Sequence, residues 1–107
     1  MAADFTTGAT IIADFQDSAA NTAVAVTVGP ANGVLTGAGN TSASSVAGPN
    51  AAYPKALALV GAATPDRIVF ADHPSLNPTG PFSLGMWIFA TNYKTGSSYV
   101  ELCAKTN

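Results

Sequence analysis

The sequence predicts an all-β chain of short antiparallel strands, and three observations predict it. Glycine and proline recur every few residues, with 10 Gly and 7 Pro in 107 residues. Between them Val, Ile, Thr and Phe gather in short runs, as strands joined by turns require. From Phe82 to Ala90 the apolar residues alternate in the two-residue rhythm of a pleated strand.

On this pattern strands are expected near Thr10–Gln16, Ala23–Val28, Gly33–Thr36, Lys55–Val60, Arg67–Ala71, Phe82–Ala90 and Ser98–Ala104. Gly29-Pro30-Ala31-Asn32-Gly33 carries both Pro and Asn-Gly, which favour a tight reversal. The stretch 37–54 is small and polar apart from Val46 and Tyr53, and is expected to be an exposed loop. Asp72 to Pro81 holds three prolines, which exclude a continuous strand. In the strongest strand, Phe82, Leu84, Met86 and Ile88 share one face, while Ser83, Gly85, Trp87 and Phe89 share the other. Both faces carry bulky apolar groups, so this strand is expected at the centre of a sheet, covered on each side.

Composition narrows the function. Charged residues are 9% of the chain and the net charge is −2. The four cations, Lys55, Arg67, Lys94 and Lys105, are dispersed, so there is no basic patch to meet the phosphates of a nucleic acid. The hydrophobic share of 48% is weighted to alanine, which adds little core area. Cys103 is the single cysteine, so it forms no internal disulfide and no zinc site by itself; its neighbours suit a small buried apolar group. No apolar run reaches the roughly 18–20 residues that cross a bilayer, and membrane insertion is not expected. The opening Met-Ala-Ala-Asp-Phe-Thr-Thr-Gly lacks the charged and apolar regions of a signal peptide. Either a leader has been removed or the secretory route is not used.

Four segments carry a family resemblance. They are Ala56-Leu57-x-Leu59-x-Gly61, Asp66-Arg67-Ile68-Val69-Phe70, Pro74-Ser75-Leu76-Asn77, and Phe82-Ser83-Leu84 followed by Trp87-Ile88. Together they resemble the front of a concanavalin A-like lectin/laminin-G-like domain. Ile11 to Ser18, Asn32 to Gly37 and Ser98 to Lys105 fit the same pattern more loosely. The resemblance implies an antiparallel β-sandwich of the jelly-roll type, with residues 1–107 forming only its N-terminal half. Leu57, Leu59, Ile68, Phe70, Phe82, Leu84, Trp87 and Ile88 are then expected in the core. A half-sandwich leaves edges unpaired and an apolar face uncovered, which favours pairing with a partner. Continuation into a longer protein, completion by another copy or subunit, and closure as a smaller sandwich all remain open.

Candidate chemistry is sparse. Glu101 is the only glutamate, whereas glycoside hydrolysis usually needs two carboxylates facing the sugar. Asp14 and Asp17 read as solvated carboxylates on a surface strand. His73, in the turn Asp72-His73-Pro74, has no nucleophile and supporting partner in an evident arrangement and reads as an exposed turn residue. No catalytic residue is assigned and no cofactor is required. The resemblance does allow calcium, a hard cation that takes oxygen ligands, and Asp66, Asp72 and Asn77 are the donors it would offer. For a glycan ligand, which aromatic side chains would stack against, Tyr93 and Tyr99 are the leading candidates, with Tyr53 a further one. Asn40-Thr41-Ser42 matches a glycosylation acceptor.

These readings lead to a non-enzymatic structural or adhesion module of a virus or phage particle, a decoration or fibre protein with a lectin-like sandwich, for which surface glycans are a candidate ligand. Its expected partners are other copies or subunits of an assembly, and its expected location is the virion. The alternative is an extracellular carbohydrate-binding module, or part of a secreted polysaccharide-degrading enzyme.

Overall fold

Strand β2, Gly33–Thr36, organises the larger sheet, and its four residues show why a strand forms there. Side chains alternate across a pleat, so Gly33 and Leu35 turn inward and are buried while Val34 stays exposed. The computed structural model describes residues 7–37, 39–60, 66–90 and Ala104. Within them β2 lies between β1, Ala23–Val24, and β5, Arg67–Val69, and is antiparallel to both. The register sets Val24 against Gly33 and Leu35 against Ile68. Val24 is 0% exposed and Leu35 2%, and these two are the buried apolar side chains of the described core.

Gly33 is required by this packing. A Cβ there would lie 2.8 Å from Phe70 Cε1 and 2.9 Å from Ile68 Cγ2, closer than side-chain carbons tolerate. Absence of a side chain at position 33 is what lets Phe70 and Ile68 settle against the sheet. An isolated antiparallel bridge joins Ile12 and Val28, with Ile12 N–H donating to Val28 O at 2.8 Å.

The second sheet is a hairpin of β3, Ser45–Asn50, and β4, Tyr53–Leu57. Its turn is made by Asn50, whose Oδ1 accepts from the N–H groups of both Ala52 and Tyr53 at 3.0 Å. One helical turn, α1, Thr41–Ser44, leads into β3 and is capped by Asn40. A bulge between Ala47 and Asn50 brings Gly48 across β4, where a Cβ would collide with the carbonyl of Tyr53. A 3₁₀ turn at Pro74–Leu76 completes the regular elements.

The chain is therefore β-rich, in two antiparallel sheets, as its turn spacing predicts. Several elements differ from expectation. The strand predicted over 10–16 is reduced to the single bridge at Ile12. The reversal at 29–33 is not a two-residue Asn-Gly turn; Asn32 Oδ1 instead accepts from Val26 N–H at 3.2 Å, closing a wider loop. The stretch 37–54, expected as one exposed loop, contains α1 and β3, and buries Thr41 and Ser44. Its structure comes from main-chain pairing and Asn caps, which leave no apolar periodicity to read.

The largest difference is at Phe82–Ala90. This segment has no regular hydrogen-bonded structure and is exposed throughout. Of the expected core, Phe82 is 74% exposed, Trp87 100%, and Leu84, Ile88 and Leu59 are also exposed. Leu57, Ile68 and Phe70 are half-buried. A two-residue apolar rhythm becomes a buried strand only where another strand supplies its ladder, and no described strand pairs with this segment. The strand expected at 98–104 falls almost wholly outside the described residues, as does Cys103.

Core substitutions should separate accordingly. Leu35→Ala is expected to cost about 2–5 kcal/mol, and Gly33→Val about 1–3 kcal/mol by overpacking. Gly39→Ala, with open space around the new carbon, should leave the urea midpoint essentially unchanged. Equal effects at positions 33 and 39 would contradict the packing described here.

Candidate functional site

Residues 14–22 hydrogen-bond to elements of both sheets. Asp17 Oδ1 accepts from Ala25 N–H at 3.0 Å, which ties this stretch to the end of β1. Its other carboxylate oxygen, Oδ2, is buried with no hydrogen-bond partner. Ala19 O accepts both the Thr41 hydroxyl and Ser42 N–H, each at 2.9 Å. Thr41 N–H donates to Asn21 O at 2.8 Å, and Leu35 N–H donates to Thr22 O at the same distance. The stretch thus reaches the larger sheet on one side and α1 on the other.

Its contact with the hairpin is made by Gln16. The Gln16 carboxamide accepts from Lys55 N–H at 2.9 Å and donates to Lys55 O at 2.6 Å. The Lys55 ammonium also donates to the Ser18 hydroxyl. Phe15, immediately before Gln16, has φ of +55°, a left-handed conformation that side chains other than glycine rarely adopt. This constellation was not legible in the sequence, because Gln16 and Lys55 are 39 residues apart and neither belongs to a motif.

Of the residues anticipated as calcium ligands, Asp66 and Asn77 make local hydrogen bonds. Asp66 Oδ2 accepts from Val60 N–H at 2.9 Å, and Asp66 N–H donates to Val60 O at 3.0 Å. Asn77 donates through Nδ2 to His73 O at 3.3 Å and through its N–H to Pro74 O at 3.1 Å. Asp72 lies one residue before His73 on the same turn. Among the described residues no three of His, Cys, Asp and Glu gather as a metal-holding group. Asp66 and Asn77 thus each hold a turn.

His73 caps the 3₁₀ turn. Ser75 N–H donates to His73 Nδ1 at 3.2 Å, and the Ser75 hydroxyl lies 2.8 Å from the same nitrogen. A serine two residues from its histidine within one turn is a local cap, and both side chains are exposed. The glycosylation-type triplet is also used structurally. Asn40 Oδ1 accepts from Ala43 N–H at 2.8 Å and from the Ser42 hydroxyl at 2.9 Å, while Thr41 is fully buried.

Tyr93 and Tyr99 lie outside the described residues, as does Glu101. Tyr53 is exposed at the start of β4. No described helix is long and apolar enough to cross a membrane. Comparison with known protein families, with curated proteins and with solved structures returned no match.

Two substitutions test this assignment of roles. Asn40→Ala should lower stability by about 1 kcal/mol through loss of the cap, while Asn40→Asp, which keeps the acceptor, should not. Asp66→Ala should also cost about 1 kcal/mol, to the same extent with calcium or with chelator. A calcium-dependent difference in its unfolding midpoint would restore Asp66 as a ligand.

Proposed function

We propose that this chain is a non-enzymatic structural or adhesion module of a virus or phage particle, a decoration or fibre protein of the concanavalin A-like, lectin-like sandwich type. Its working state is an assembly with other copies or subunits, and surface glycans are the ligand class it would meet. The observation that carries the reading is the exposed apolar strip at residues 82–89. Phe82, Leu84, Met86, Trp87, Ile88 and Phe89 all stand in water. Burying such side chains is worth about 1.5–3 kcal/mol each. Their sum is on the order of 10 kcal/mol, comparable with the whole net stability of a small domain. Contiguous apolar surface of this kind marks an interaction face.

Low charge and Ala/Gly/Ser/Thr-rich connections suit a packed particle surface, and the motif resemblance at Ala56–Ile88 supplies the lectin-like element.

The test is the size distribution of the purified chain, with and without Trp87→Ser/Phe89→Ser. The wild type is expected to associate, and the double variant to dissociate while its unfolding free energy changes by less than about 0.5 kcal/mol per site. A monodisperse wild-type monomer at high concentration would overturn the assembly reading. Glycan-array binding addresses the adhesion arm, and turnover of a polysaccharide would replace the proposal with the enzyme alternative.

A further inference from the structure

Asn32 and Gly33 form the one Asn-Gly pair in the chain, and the fold does not use it as a tight turn. Such a pair carries its own chemistry. The main-chain nitrogen of the second residue can attack the side-chain carbonyl carbon of the first, and only glycine brings no Cβ to crowd that approach. Asn21, Asn40 and Asn50 precede Thr22, Thr41 and Ala51, whose side chains stand beside the attacking nitrogen.

Both reacting groups are held from the side of β1. Leu35 N–H donates to Thr22 O at 2.8 Å, and alternate residues of a strand turn their amides the same way. Gly33 therefore turns its N–H toward Val24, its register partner on β1. Asn32 Oδ1 accepts from Val26 N–H at 3.2 Å, just past the end of β1. Asn32 is exposed to water, whereas Gly33 is buried. β1 is only two residues long and is an outer strand of its sheet. A short strand with one neighbour is the kind of element that opens without global unfolding.

We infer that Asn32 is a deamidation site gated by β1: pairing with β1 protects it, and local opening of β1 releases the reaction. On opening, Gly33 N bonds to Asn32 Cγ and the Cγ–Nδ2 bond breaks. The Gly33 amide proton leaves with the departing amide group as ammonia, and a cyclic imide remains. Water then opens either imide C–N bond, at Cγ to give aspartate or at the main-chain carbonyl to give isoaspartate. Aspartate keeps the oxygen that accepts from Val26 N–H. In isoaspartate the chain runs through Cβ and Cγ, so that oxygen becomes a main-chain carbonyl and the loop gains one backbone atom. The clasp on Val26 is then lost, and β1, which carries the fully buried Val24, is held less firmly than before.

The experiment follows each asparagine of the whole chain by peptide mass spectrometry at mildly alkaline pH, in buffer and in urea that unfolds the protein. In urea Asn32 should convert faster than Asn21, Asn40 and Asn50. In buffer it should convert about ten- to a hundredfold more slowly, because only the few bonds of an edge strand hold the gate. Across urea concentrations below the unfolding transition, its rate should rise in step with amide exchange at Gly33, read by NMR. Protein enriched in isoaspartate should lose exchange protection at Leu35 N–H, while Asn32→Asp should retain it. Equal rates in buffer and in urea overturn the gate, as does a rate that does not follow Gly33 exchange. No preference for Asn32 in the unfolded chain overturns the site.

Discussion

The two sheets share no strand, and residues 14–22 hydrogen-bond to both of them. This stretch has no ladder of its own, yet its groups are spoken for on both sides. Asp17 and Thr22 hold the larger sheet, Ala19 and Asn21 hold α1, and Gln16 holds β4. Each bond is worth only about 0.5–1.5 kcal/mol net. Leaving one of these groups unpaired in the interior costs more than making the bond gains. The joint is therefore specific in geometry, but modest in strength. The unpartnered Asp17 Oδ2 marks the one place among the described buried side chains where satisfaction is incomplete.

A joint of this kind explains which parts of the fold can be read from sequence. β2 lies at Gly33–Thr36, where the pattern of small and apolar residues places it, and β5 falls within the expected Arg67–Ala71. Both have an inward and an outward face, and burial writes that difference into side-chain type. β3 leaves no such trace, and β4 overlaps the expected Lys55–Val60 only at residues 55–57. The hairpin's residues are Ser, Val, Ala, Gly, Pro and Asn on one strand and Tyr-Pro-Lys-Ala-Leu on the other, mostly exposed. What forms it is an Asn at the turn and an Asn at the cap, and isolated asparagines in a polar stretch are common enough to read as loop. The Gln16–Lys55 contact is less legible still, being a pair of bonds from one side chain to a residue 39 positions away.

The segment 82–90 shows the opposite failure, a strong pattern without the structure it suggests. Alternation states which residues would share a face if a strand were paired; it does not supply the pairing. Here the apolar groups that would make the richest core layer are exposed, while the described core rests on Val24 and Leu35 with half-buried Leu57, Ile68 and Phe70 around them. Hydrophobic capacity and hydrogen-bond organisation are thus separated along the chain.

That separation bears on how association could be controlled. Apolar burial is strong and indifferent to register, whereas strand pairing is weaker per residue and sets orientation. Contact through the exposed strip would therefore bring surfaces together without fixing their orientation, and strand pairing would have to supply it.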